Sequence, residues 1–503
     1  MTLRDLLRGS LLYTFGNMLP RLGAFLLLPV YTSAMNAADF GVFSLMLSLS
    51  GLLAIVYRLG MDGALMRLHF DIDEHARPSL YASLAMTSAV VGVCLSLILA
   101  LIGAPLFGAV FAGISFWPFG VLTLVLTLFV AFQYVPASLF RATEQPGRFL
   151  AVTGGAFGIG AIATVVFLLV FRLGAAGALL GQVAGGIGIV AVTVAILYRL
   201  RPWHFDAPLL RSALGFGLPL VPHSLSAWVL NLSDRWLIGL LLGASALQAQ
   251  AAIGIYSFGY QLGQVVSLVA LSFNAAWVPF FYARGERPQG PRVLREMTSL
   301  AMGGLAFLAV AVASLAPEVV VVLAQERWGA AALQAADVVP LVALASMAYG
   351  VYFMVVSAVF LVRRTRALPL LTIGAGLANV LLNLLLIPRI GLVGAAWSTV
   401  VGYVVLAVAT GLYARRGYPV VLDMPRLGVL FAAAVGAMLI GRLVTPAGSG
   451  LLLSGAAHLG VAAAFAVVAL VVVRSPLRAL RTLLAELATD ERAVTMGNPQ
   501  EPV

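Results

Sequence analysis

Gly9-Ser-Leu-Leu-Tyr-Thr-Phe-Gly-Asn-Met-Leu-Pro-Arg-Leu-Gly-Ala-Phe-Leu-Leu-Leu-Pro-Val-Tyr31 is a mostly apolar run of 23 residues with a single charged side chain, Arg21, in its middle. A helix needs roughly 20 mostly apolar residues to cross a bilayer, so this run has the length and composition of a membrane span. An arginine near the centre of such a helix costs about 2.5 to 3.5 kcal/mol, and residues of this kind face a protein interior or a water-filled cavity. The partner that best suits a guanidinium there is an anion. Arg58 and Arg235 repeat the arrangement further along, and all 30 basic residues are arginine, with no lysine.

The remainder of the chain has the same character. Of its 503 residues, 62% are hydrophobic and only 10% charged, with a mean hydropathy of +1.04. Soluble domains carry about 25% charged residues, so the composition predicts a polytopic all-α membrane protein. Between the polar breaks we read about fourteen spans. Those of the first half are Gly9 to Tyr31, Phe40 to Leu59, Leu80 to Ile102, Trp117 to Leu139, Phe149 to Phe171, Ala175 to Leu197 and Leu214 to Leu242. Those of the second half are Ile253 to Tyr282, Met297 to Ala316, Asp337 to Val362, Leu368 to Ile387, Leu392 to Tyr413, Leu427 to Val444 and Leu451 to Val473.

Arg4 and Arg8 precede the first span as in a signal peptide, but the span is too long, carries Arg21 and lacks a small-residue cleavage site, so it reads as a retained helix. With the N-terminus cytoplasmic, 23 arginines fall on that side, 4 on the other (Arg172, Arg327, Arg389 and Arg442) and 3 within the membrane. Short cytoplasmic loops concentrate positive charge, so both termini are expected to be cytoplasmic. The net charge of +11 then reflects topology and contact with anionic membrane lipids, with no need for nucleic acid. A single cysteine, Cys94, excludes an intrachain disulfide or a thiolate metal cluster and reads as a small core residue.

An internal repeat organises the spans. Arg172-Leu-Gly-Ala-Ala-Gly-Ala178 returns 217 residues later as Arg389-Ile-Gly-Leu-Val-Gly-Ala395, and Phe40-Gly-Val-Phe-Ser44 returns after 213 as Ile253-Gly-Ile-Tyr-Ser257. Six spans per unit is an even number, so the two units point the same way, as in transporters built from parallel repeats. The expected organisation is a six-helix lobe over 1–200, a second over 201–420, helices 13 and 14 over 421–473, and a cytoplasmic tail over 474–503. In that tail Leu477, Leu480, Leu484 and Leu487 form one face of a basic amphipathic helix ending near Arg492, and Val494 to Val503 reads as disordered.

Polar residues inside the spans recur at helical spacing. Tyr13, Asn17 and Arg21 are each four apart on one helix face, as are Arg58 and Asp62. Asn231 precedes Asp234 and Arg235 beyond His223, and Tyr256, Tyr260 and Gln264 share a register on the next helix, as do Asn379 and Asn383. Together they outline a polar, aromatic-lined cavity. Its substrate-binding candidates are Asn17, Arg21, Arg58, Asn231, Arg235, Tyr256 and Tyr260; its candidates for ion coupling are Asp62 and Asp234. Structural readings stand beside these. Arg58 with Asp62 also fits an ion pair, Asp234 and Arg235 also fit interhelical partners, and the tyrosines and asparagines also fit helix packing.

The run Asn379-Val-Leu-Leu-Asn-Leu-Leu-Leu-Ile-Pro-Arg-Ile-Gly-Leu-Val-Gly-Ala-Ala396 resembles a helix-eleven-to-twelve signature. It is the signature of the polysaccharide transporter family, the O-antigen and exopolysaccharide flippases of the multidrug/oligosaccharidyl-lipid/polysaccharide (MOP) superfamily. Leu27-Leu-Pro-Val-Tyr31 with Asp39-Phe-Gly41, and Gly217-Leu-Pro219 leading to Ser233-Asp-Arg235 and Gly254-Ile-Tyr-Ser257, are similar to that family's first and seventh helices with their following loops. The resemblance covers about Gly9 to Tyr413. It implies fourteen helices, with two six-helix lobes arranged as a V and two further helices. It also implies an undecaprenyl-pyrophosphate-linked oligosaccharide turned over from the cytoplasmic to the periplasmic leaflet of a bacterial inner membrane, alongside polysaccharide polymerase machinery. Cavity cations on helices one, two and seven of such flippases correspond to Arg21, Arg58 and Arg235.

The chemistry agrees. A pyrophosphate and its sugars lose water on crossing hydrocarbon, and cavity arginines replace that water with charge-assisted hydrogen bonds. No Walker motif or phosphate loop appears, so no nucleotide or other cofactor is expected. An alternative is a cation-driven multidrug exporter of the same superfamily, although intramembrane arginine suits anions better than cationic drugs. A glycan polymerase would need paired carboxylates or a metal site on an outer loop, and the outer side offers only Asp39, Glu318, Glu326 and Asp337. We therefore expect no catalytic residue, no metal and no enzyme activity.

Overall fold

The chain bends where its sequence interrupts helical hydrogen bonding. The computed structural model describes residues 3–111, 113–243, 245–285, 289–419, 422–444 and 450–478, and among these the fold is helical with no strand. From residue 479 on, the expected amphipathic tail and its disordered end lie outside the described residues.

The first helices are α1 (Leu3–Leu26), α2 (Leu28–Ala34), α3 (Ala37–Arg58), α4 (Met61–Asp71), α5 (Arg77–Val110), α6 (Val121–Ala131) and α7 (Tyr134–Ala142). There follow α8 (Pro146–Val165), α9 (Gly174–Arg199), α10 (Ala207–Gly217), α11 (Val221–Leu241), α12 (Ala246–Gly263), α13 (Val265–Gly285) and α14 (Gly290–Ser314). The last are α15 (Ala316–Val320), α16 (Glu326–Trp328), α17 (Gln334–Leu361), α18 (Leu368–Ala414), α19 (Met424–Val444) and α20 (Leu451–Val472).

Twelve helical segments among the described residues are long and apolar enough to cross a membrane, so the expected fourteen is an approximate count. The first expected span, broken at Leu27 into α1 and α2, is not among the twelve. Spans eleven and twelve form one segment of 50 residues, Thr365–Ala414, kinked at Ile390 (φ −131°) and Gly391 (φ 63°). The eighth span is interrupted at Gln264, and only α13 of its two parts is apolar enough. Its other part, α12, carries Gln248, Gln250 and Gln261 among its apolar residues.

The outward faces are apolar. On α5, Val90, Leu97 and Leu101 are 61%, 61% and 85% exposed, an arrangement that suits lipid rather than water. Cys94 shares this strip and is exposed, correcting its expected place in the core, because positions 90, 94, 97 and 101 fall on one side of the helix.

Contacts divide the chain into two units. The first comprises Met1–Leu262, Val319–Val338 and Leu368–Gly402. In it α3 and α12 cross at two glycines that the sequence repeat pairs, Gly41 and Gly254. A Cβ at Gly41 would strike the Gln250 carbonyl and one at Gly254 the Ala37 carbonyl, and each would lie 2.9 Å from the other glycine's backbone nitrogen. The contact is thus reciprocal, since Gln250 stands 213 residues after Ala37 as Gly254 does after Gly41. Such close backbone approach is what small residues permit where lipid leaves packing as the main attraction. Nearby, Ser48 on α3 accepts from two indoles of α11, Trp228 Nε1 to its carbonyl at 2.9 Å and Trp236 Nε1 to its hydroxyl at 3.0 Å.

The second unit comprises Gly263–Glu318, Val339–Ala367 and Tyr403–Val503. In it α14, α19 and α20 pack on one another, and Arg426 at the start of α19 pairs with Glu296 of α14 at 2.9 Å.

Candidate functional site

Glycines on α1 bring that helix against α8. A Cβ at Gly16 would lie 2.8 Å from Phe149, and one at Gly23 would overlap Phe157. Tyr13 fixes the same helix to α7 by donating to the Phe140 carbonyl at 2.9 Å. Between α1, α7, α8 and the junction of α3 with α4 is a cavity of about 210 Å³. Its polar lining includes Asn17, Arg58, Asp62, Gln133, Tyr134 and Arg141.

Backbone breaks build this cavity. Leu59 and Gly60 take left-handed backbone, φ 49° and 72°, so α3 stops at Arg58 and Asp62 lies in the first turn of a new helix that begins at Met61. The single helix face expected for Arg58 and Asp62 does not form, and no ion pair joins them, yet both reach the same cavity. A second break separates α6 from α7, and Arg58 fills it. Its Nη2 donates to the Val130 carbonyl at 2.6 Å and its Nε to the Ala131 carbonyl at 3.2 Å. Two of five guanidinium donors are thereby used, leaving three for a ligand. Pro20 also lines the cavity, and because it has no N–H it leaves the Gly16 carbonyl without its usual helical donor.

Gln133, Tyr134 and Arg141 are the residues of this polar lining that sequence reasoning missed. Arg141 reads as a loop arginine unless the break at Phe132 and Gln133 is known. Here its Nε donates to the Ala137 carbonyl at 3.0 Å and its guanidinium lies 5.7 Å from the Phe149 ring centre. Two arginines and one aspartate give the cavity a positive balance suited to an anion.

The other expected site residues gather elsewhere in the first unit. Asp234, Arg235, Tyr256 and Tyr260 are all buried, at 1%, 7%, 0% and 2% exposure. Arg235 Nη1 donates to Asp234 Oδ1 at 3.1 Å and to the Asn231 carbonyl at 2.9 Å, while Tyr256 Oη donates to Asp234 Oδ2. The guanidinium lies 4.5 Å from the Tyr260 ring centre and 5.8 Å from that of Tyr256. This cluster is charge-balanced and internally bonded, and none of its members lines the cavity at Arg58. Arg21 is exposed on α1, one turn from Asn17, and is not among the lining residues either. Asn383 donates to Asn379 Oδ1 at 3.1 Å along α18, and His223 Nδ1 lies 3.0 Å from Thr372 Oγ1. Among the described residues no group of three or more metal-ligating side chains occurs.

Comparison with known proteins places these observations in a family. The sequence pattern described as "Polysaccharide biosynthesis protein" matches residues 6–283. A curated relative, "Lsg locus putative protein 1" of Haemophilus influenzae, is 22% identical over 293 residues, spanning 55% of this chain and 65% of that protein. The match thus covers less than two thirds of that relative's length. Among solved structures, the lipid II flippase MurJ in an inward closed conformation superposes with a TM-score of 0.71 at 11% identity, covering 92% of this chain and 99% of that one. An inward-facing multidrug resistance MATE family transporter of the MOP superfamily gives 0.55 at 16% identity, covering 84% and 95%. These likenesses show a MOP-type transporter fold in a multi-pass membrane protein.

Proposed function

The chain belongs to the polysaccharide biosynthesis protein family, and from that premise we propose that it flips an undecaprenyl-pyrophosphate-linked oligosaccharide from the cytoplasmic to the periplasmic leaflet of a bacterial inner membrane. The observation that carries this reading is the polar cavity at Arg58, walled by helices whose outer faces are apolar. A pyrophosphate inside it exchanges water for guanidinium donors, while the prenyl tail stays in lipid.

In this reading Arg58 and Arg141 hold the anionic head and Asn17 meets polar groups beside it. Arg21 makes the first contact from the exposed side of α1. Arg235, Asn231, Tyr256 and Tyr260 engage substrate when the ion pair with Asp234 opens during alternating access of the two six-helix lobes, 1–200 and 201–420. Asp62 or Asp234 exchanges the coupling ion. Both termini are cytoplasmic, the product serves O-antigen, capsule or exopolysaccharide synthesis, and polymerase machinery takes it up.

Deleting the gene in its own bacterium tests the reading without a mismatch of glycan. Undecaprenyl-pyrophosphate-linked oligosaccharide should accumulate and surface polysaccharide should be lost, both reversed by the wild-type gene. An unchanged lipid-linked pool would overturn the assignment.

A further inference from the structure

The part of α17 that belongs to the second unit is enclosed nearly all round. From Leu341 to Val359 every residue is buried except Tyr349, Val351 and Tyr352, so its one opening falls on two tyrosines and a valine. Among the twelve membrane-crossing segments, the one containing α17 is the most enclosed.

The two tyrosine rings lie within 4° of parallel, with their centres 5.9 Å apart. Buried neighbours hold them in place. The Tyr349 ring centre lies 4.7 Å from that of Tyr403 on α18 and 4.3 Å from that of Phe353, and those two residues are 4% and 8% exposed. The Tyr352 ring centre lies 5.9 Å from that of Phe353. Rings wedged in this way lose little freedom when a ligand lands on them.

Depth decides what the opening faces. Both tyrosines stand near the midpoint of α17. Tyrosines in contact with lipid collect at the two membrane interfaces, where the hydroxyl meets water. A phenol hydroxyl turned into hydrocarbon lacks that partner, so an opening at mid-span suits an aqueous cavity rather than lipid.

The adjoining helices carry polar groups in want of a partner. α13 runs alongside α17 in the same direction: a Cβ at Gly263 would lie 2.6 Å from Val342, one at Gly350 3.7 Å from Ala270 and one at Gly285 3.0 Å from Leu361. That alignment puts Trp277 about one turn beyond Tyr352, and Thr410 of α18 falls at the same depth because Gly411 adjoins Val355. Trp277 Nε1 and Thr410 Oγ1 are buried without a hydrogen-bond partner, on residues 2% and 0% exposed. An indole N–H only donates and a threonine hydroxyl does either, so a hydroxyl-bearing ligand, or water carried in with it, satisfies both.

We propose that Tyr349 and Tyr352 form a sugar-binding platform in the second unit, on which a pyranose of the oligosaccharide rests its C–H face. The proposal rests on the flippase reading above and assigns the sugars to residues outside the arginine cavity. A pyranose has apolar C–H faces and a rim of hydroxyls, which matches an aromatic floor with polar groups one turn away. A polyprenyl chain matches only the floor and leaves Trp277 Nε1 and Thr410 Oγ1 unbonded, which is costly.

Two probes isolate the platform: undecaprenyl-pyrophosphate-linked oligosaccharide extracted from the protein's own bacterium, and undecaprenyl pyrophosphate without sugar. Their affinities are measured on the full chain in lipid nanodiscs. Tyr349→Leu and Tyr352→Leu should each weaken binding of the glycosylated lipid about tenfold and leave that of the bare lipid unchanged, which also shows that the variants fold. Tyr352→Phe keeps the ring and should bind both lipids as wild type does. Leucine variants that hold the glycosylated lipid as tightly as wild type would overturn the platform and leave the flippase reading standing. Wild type that binds neither lipid would overturn that reading and the platform with it.

Discussion

Arg58 and Arg235 are both intramembrane arginines in the sequence, but the structure gives them different surroundings and hence different predicted phenotypes. Arg58 spends two of its donors on main-chain carbonyls and lines a cavity. Arg58→Ala should cut polysaccharide export at least about tenfold, equivalent to about 1.4 kcal/mol, at normal protein levels. Arg58→Lys should rescue part of it, keeping charge but losing the planar fork. Membrane-fraction blots beside surface-polysaccharide assays check both. Asp234 is enclosed, so Asp234→Asn leaves Arg235 buried without its counter-charge and should cost about 3 to 5 kcal/mol. Thermal unfolding in detergent measures that loss, and an unshifted midpoint would contradict it. Asn17, Arg58 and Asp62 were legible because a polar group in an apolar span is conspicuous. Their true geometry was not, since the left-handed backbone at Leu59 is set by tertiary packing and non-glycine residues seldom adopt it.

At the scale of elements, the repeat could be read from spacing, and the structure gives its glycines a reason. Gly41 and Gly254 allow α3 and α12 to meet backbone to backbone. Gly41→Val and Gly254→Val should each lower the unfolding temperature in detergent. Because both strain one crossing, the double variant should lose less than the two single losses combined. Full additivity would mean that the crossing is not shared. Periodicity marked nearly every span, but it missed the breaks at Leu27, Gln133 and Gln264. Each lies in sequence apolar enough to continue a helix, and neighbouring helices decide where the hydrogen bonding is interrupted.

For the whole molecule, the 23-to-4 arginine asymmetry predicts orientation. Reporter domains fused at either terminus should be active only in the cytoplasmic form, and a periplasmically active C-terminal fusion would refute the predicted topology. Class and membrane character were legible from composition alone, because so apolar a chain has no stable soluble alternative. The division into units was not, since it depends on contacts between residues hundreds of positions apart.

Cys94 has a practical consequence. Its thiol stands among Val90, Val93 and Leu97 on the outward strip of α5, where hydrocarbon keeps it out of reach of charged maleimides that react from water. The natural chain therefore serves as its own silent background for site-directed fluorophores: a cysteine introduced in any aqueous loop would be the one that labels, with no residue first removed.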